Sequence, residues 1–135
     1  MKKIFVAIIL LFILSNIIVD NRFSLNDYFE GEYTSYFSDY TQNCVDLGFC
    51  YAGDVCVGEL IGESVEVIDL EVGAAIKLLN AKVVRTEYIN NVTVIYAQTN
   101  LIHKNVLVGG EKVNLQFAIK EDSCIIGWPL ILGGF

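Results

Sequence analysis

A chain of 135 residues, 54% hydrophobic and 19% charged with a single proline, has the length of one globular domain and too much apolar side chain for a disordered tail. Its net charge of -7 excludes a phosphate-backbone binder driven by counterion release, which needs a basic patch. Charge is uneven: Asp20–Glu71 carries twelve acids against Arg22 alone, while Val72–Phe135 carries six bases against four acids. The asymmetry reads as a solvated acidic surface, or else as an electronegative face for a cationic partner.

At the start of the chain, Lys2 and Lys3 precede the unbroken apolar run Ile4–Leu14, and Ile17, Ile18 and Val19 follow. A basic flank ahead of such a run is the pattern of a secretory signal or a signal anchor. No small-x-small cleavage pattern follows the run, and no cysteine precedes Cys44 to carry a lipid. The expectation is a single-pass anchor over 1–19, with the amino terminus cytoplasmic and the rest of the chain outside the cell membrane, or secreted if the signal is cleaved.

Residues 20–47 form an acidic, aromatic-rich segment. Ser24 and Asp27 have capping-box spacing, with Phe23 and Tyr28 at the staple positions. Phe29, Tyr33, Tyr36 and Tyr40 recur at helical intervals, which predicts a helix packed on the domain's sheet. Val65–Ile68 then reads as a short strand, and Glu71–Asn80 as a helix with Asn80 at its carboxy-terminal cap. Lys82–Tyr88 and Thr93–Gln98 flank Asn90-Asn91, a hairpin signal, and Val106–Val108 and Lys112–Ile119 flank Gly109-Gly110-Glu111, another. In Lys112–Lys120 the apolar Val113, Leu115, Phe117 and Ile119 alternate with Asn114, Gln116, Ala118 and Lys120, predicting one dry and one wet face. Cys124–Trp128 reads as a last strand, and Pro129 after it suits a sheet edge or a strand end. The expected fold class is α+β: an N-terminal anchor helix, then one helix on a curved antiparallel sheet of four to five strands. The divisions are a signal anchor over 1–19, the acidic segment over 20–47, and an extracytoplasmic α+β domain over 48–135.

The run Thr93–Phe135, with its GG-x-KVN-x-x-x-AI strand (Gly109–Ile119) and IGxPxI close (Ile126–Ile131), resembles the carboxy-terminal end of the YwmB family of Firmicutes. The resemblance covers about a third of the chain and departs at Trp128 and at Gly133-Gly134-Phe135. It implies an envelope- or sporulation-associated protein with half of a TATA-box-binding-protein-like fold; a cystatin-like arrangement is the other option. It implies no catalytic residue and no DNA binding.

Chemistry-bearing residues are few. Cys50 and Cys56 flank a Gly53-Asp54 turn signal, and a hairpin there would set them at disulfide distance. Buried thiols or a zinc site that includes Cys44 and Cys124 are the other readings, but the C-x5-C spacing is wide for zinc. His103, the only histidine, lies in a loop-like stretch, and a Cys124–His103 pair lacks an orienting third group. The pairs Glu30/Glu32 and Glu63/Glu66 read as solvated. Asn91-Val92-Thr93 matches a glycosylation acceptor. Trp128 with Leu130, Leu132 and Phe135 makes the most apolar stretch beyond the first nineteen residues, either closing the core or exposed as an interaction patch.

These features lead to a non-enzymatic, membrane-anchored interaction module without cofactor, metal or nucleic acid. Its expected partners are an envelope protein or a second copy paired through the Trp128 edge strand. A small enzyme or redox protein using Cys124/His103 or Cys50/Cys56 is the alternative.

Overall fold

The computed structural model describes residues 3–9, 23–38, 47–51 and 59–135. Nine strands follow a 3-10 turn at Leu25–Asp27: β1 (Glu32–Ser38), β2 (Leu47–Tyr51), β3 (Glu59–Ile68), β4 (Ala81–Ile89), β5 (Val92–Thr99), β6 (Val106–Val108), β7 (Glu111–Val113), β8 (Leu115–Ile119) and β9 (Ser123–Trp128). Seven of them make one sheet in the order β2-β1-β3-β9-β8-β5-β4, every neighbouring pair antiparallel, and β6-β7 form a separate hairpin.

The expected α+β class is therefore corrected. Strands dominate, and the one helix in contact with the sheet is the short Val72–Leu78. A sheet of seven strands is neither the four-to-five-strand half of a TATA-box-binding-protein-like fold nor a cystatin-like one. The anchor is corrected as well. Its described part is a helix over 3–9 only, and no helix among the described residues is long and apolar enough to cross a membrane. A single-pass cell-membrane location with an extracytoplasmic domain accordingly has no support in the fold. Residues 10–22 lie outside the described residues.

Behind that segment the capping expectation holds for one turn. Ser24 Oγ accepts from Asn26 N at 3.3 Å, and the rings of Phe23 and Tyr28 stack 5.5 Å apart. Helix then gives way to strand, because Tyr33, Thr34, Tyr36 and Phe37 are aromatic and β-branched residues that suit a pleated surface. Gly31 makes the change of direction: a Cβ there would run into the Glu66 carbonyl oxygen, so only glycine lets the chain come this close to β3. The 20–47 segment thus contributes β1 to the common sheet, paired with both β2 and β3.

The remaining turns follow local chemistry. Asn90 and Asn91, at φ 50° and 64°, close the β4–β5 hairpin, and Gly109 and Gly110, at 57° and 82°, close β6–β7, the paired positive φ of a tight hairpin turn. Asn80, at φ 49°, follows the helix cap Leu79.

One face of the sheet buries Val65, Ala97, Leu115, Phe117, Cys124, Ile126 and Trp128 beneath Leu25, Phe29, Ala75 and Leu79. The opposite face carries Ala118 and Ile125, and the chain beyond β9 folds back over it. Ile131 packs there, its amide donates to Gln116 Oε1 at 2.7 Å, and Gly133 sits against Tyr36. The wet face expected for Lys112–Lys120 is overturned: Gln116 and Ala118 are buried under that return segment, and Asn114 is buried against the loop after β5. Of the two readings of Pro129, the strand end holds and the sheet edge is overturned by the strand order. β9 lies between β3 and β8 with both its edges paired, so pairing of two copies through it is closed off.

Candidate functional site

Glu63 is the most heavily bonded polar group of the core. It is 2% exposed, and its two carboxylate oxygens accept from four donors. Ser24 Oγ (3.0 Å) and the Tyr33 hydroxyl donate to Oε1; the Leu25 amide (2.9 Å) and Trp128 Nε1 (2.7 Å) donate to Oε2. Strand β3 supplies the acid, β9 the indole, β1 the Tyr33 hydroxyl, and the turn before β1 the Ser24 and Leu25 groups, so the carboxylate ties separate parts of the chain together. With its acceptor sites taken, it has none to spare for a substrate. Burial, and then the hydrogen bond to Glu63, pushes the Tyr33 phenol above its ordinary value of 10.0.

The reading of Glu63 as solvated is thus corrected. A usable signal was parity: residues 63, 65 and 67 of one strand share a face, so extending Val65–Ile68 by two residues sets Glu63 beside Val65 on the dry side. Glu66, with opposite parity, does reach solvent and holds Ser123 Oγ (2.8 Å) and Lys120 Nζ (3.9 Å). Glu30 and Glu32 are exposed.

Asn114 is a second fully committed group, and it divides what the alternation reads as one strand into β7 and β8. Its Oδ1 accepts from the Thr99 amide at 2.8 Å, and its Nδ2 donates to the Thr99 and Ile102 carbonyls at 2.8 and 3.0 Å. The loop after β5 is shaped by these bonds. His103 lies in that loop, exposed, its carbonyl accepting from Asn105.

The other singled-out residues are dispersed. Cys124 is buried in the core, its Sγ donating to the Ile125 carbonyl at 3.7 Å, and burial pushes its thiol up to about 12. A thiol held protonated in this way is a weak nucleophile at neutral pH. Cys50 pairs through its backbone with Ser35. Cys44 and Cys56 lie outside the described residues. Trp128 is 6% exposed and points into the core, Leu130 and Leu132 are half-buried, and Phe135 is exposed, so the four do not share one open patch. Asn91 sits in the β4–β5 turn, where it accepts from the Tyr88 hydroxyl.

Two clefts remain. One, of about 460 Å³, runs between the β3–helix turn and the β8–β9 turn and is lined by Asp69, Glu71, Glu121, Asp122 and Lys120. Glu71 there caps the helix by accepting from Ala74 N. The other, about 220 Å³, lies between the return segment and the Thr34–Ser64 face. Among the described residues no group of three or more His, Cys, Asp or Glu is placed to hold a metal.

One open side among the described residues is the β4–β5 hairpin. Val83, Tyr88 and Ile89 are 43%, 71% and 41% exposed, and the outer edge of β4 pairs with no strand among the described residues. No protein-family model, curated protein or solved structure matches the chain.

Proposed function

We propose that the chain is a non-catalytic interaction module that binds a protein partner along the β4–β5 hairpin. The observation that carries this reading is β4 itself: a nine-residue strand whose outer edge pairs with no strand among the described residues, with large apolar side chains open to solvent. The polar interior supports it too. Glu63, Asn114 and Gln116 hold the fold closed, and no buried side-chain N or O atom among the described residues lacks a partner. The YwmB-like run Thr93–Phe135 adds weight, since it carries over no catalytic position.

Site-specific photo-cross-linking tests the reading in the cells that make the protein. A benzoylphenylalanine in place of Tyr88 should give a discrete protein adduct, and one in place of Lys77 on the helix should not. Equal labelling at both positions, or none at Tyr88, overturns the assignment of the surface.

A further inference from the structure

We infer that the partner at β4 is a second copy of the same strand, paired antiparallel about a two-fold axis through Thr86. This rests on the interaction reading above and deepens it. Across β4, Arg85 and Glu87 project from one face, opposite Tyr96 and Val94 of β5; Thr86 and Tyr88 project from the other, opposite Ile95 and Thr93. Two-fold pairing of a strand with itself sets residues of the same face opposite each other, which leaves a short set of registers.

A two-fold at Arg85 sets arginine against arginine, and one at Glu87 sets glutamate against glutamate. Both are unfavourable when like charges stand directly opposite. A two-fold at Thr86 sets Arg85 of each copy opposite Glu87 of the other. It is the register that turns the charge order of this strand from repulsive to complementary. Within one chain the two side chains already meet, Nε to Oε1 at 3.2 Å, so both lie on the face where the second pair would form.

The apolar residues fit the same register. The bulge between Val83 and Arg85 turns Val83 to the face of Thr86 and Tyr88, so Tyr88 of one copy lies on the same face as Val83 of the other, at each end of the pairing. These are among the exposed hydrophobic residues of the hairpin. A bulge and alternating charges are devices that keep an edge strand from pairing indiscriminately. Here they leave Arg85–Ile89 regular and favour the Thr86 register over its two neighbours.

Disulfide trapping and charge exchange test this on the full-length chain. In the Thr86 register a cysteine at position 86 faces its own copy at bonding distance, so Thr86→Cys should give roughly tenfold more disulfide-linked dimer than Arg85→Cys or Glu87→Cys under mild oxidation, with the unsubstituted chain as background. Sedimentation equilibrium should show self-association weakened roughly tenfold or more by Arg85→Glu and restored to within about threefold by Arg85→Glu/Glu87→Arg. Circular dichroism checks that each variant is folded. A monomer throughout the micromolar range, trapping without preference for position 86, or no recovery in the double exchange overturns the inference. If self-association fails while the Tyr88 photo-cross-link still captures a different protein, the interaction module stands and only the identity of its partner falls.

Discussion

The middle of the sheet and its β4 end use the same kind of strand in opposite ways. At β3 and β9 both faces are covered, by the Leu25–Phe29 turn and the helix on one side and by the returning chain on the other. The carboxylate buried there, Glu63, is saturated with donors. At β4 hardly any side chain is covered, and its charges stay in water, where they contribute little to stability. The contrast separates residues that hold the fold from residues free to make contacts elsewhere. A polar group of the first kind costs a great deal to remove; one of the second kind is close to neutral.

The largest expected effect breaks the covered side. Glu63→Ala leaves the Leu25 amide and Trp128 Nε1 buried without an acceptor, at ~1–3 kcal/mol for each, so chemical denaturation should show a loss of about 3–5 kcal/mol. A loss below about 1 kcal/mol would mean that the carboxylate is not the tie described.

A smaller effect sharpens the same comparison through pH. The Tyr33 phenol holds its proton more tightly in the folded chain than in the unfolded one, first through burial and then through Glu63. Its contribution to stability is therefore complete below the unfolded value of 10.0 and is lost as pH rises through the higher folded value. Denaturation midpoints measured from pH 8 upward should fall more steeply above pH 10 for the parent chain than for Tyr33→Phe. Parallel curves would show that the phenol does not sense its surroundings.

The smallest effect belongs to the open end. Tyr88→Thr removes a ring that is 71% exposed and keeps a β-branched residue in a strand, so stability measured at concentrations where the chain is monomeric should change by no more than about 0.5 kcal/mol. A larger loss would place Tyr88 with the core.

What the sequence makes legible follows the range of the interaction. Asn90-Asn91 and Gly109-Gly110 declare their hairpins because a positive φ is a property of the residue itself. The Ser24 turn with its Phe23–Tyr28 contact is equally local. Residues 29–40 mislead because aromatics spaced by three and four fit a helix and a strand alike over so short a run. What decides is the close approach of Gly31 to β3, a contact between distant parts of the chain. Asn114 and Gln116 look like a wet face until the loop after β5 covers the first and the return segment the second, and nothing within Lys112–Lys120 reports either cover. Glu63 is the instructive case: its acidic neighbourhood argues for solvent, and only its parity with Val65 argues for the core. Its donors Leu25 and Trp128 are 38 and 65 residues away, beyond the reach of any local pattern.

The position of β9 sets the order in which the molecule can be finished. Synthesis delivers β1, β2 and β3 first, and then β4, β5 and β8, yet the two groups share no ladder until Ser123–Trp128 enters between β3 and β8. A nascent chain that has not reached Ser123 carries two half-sheets, each with an open inner edge, and lacks the indole that donates to Glu63. Such edges are the places where unfinished chains pair wrongly. Translation that stops short of β9 should thus yield an aggregating or degraded polypeptide rather than a smaller working one, because the central strand is the one made after all its neighbours.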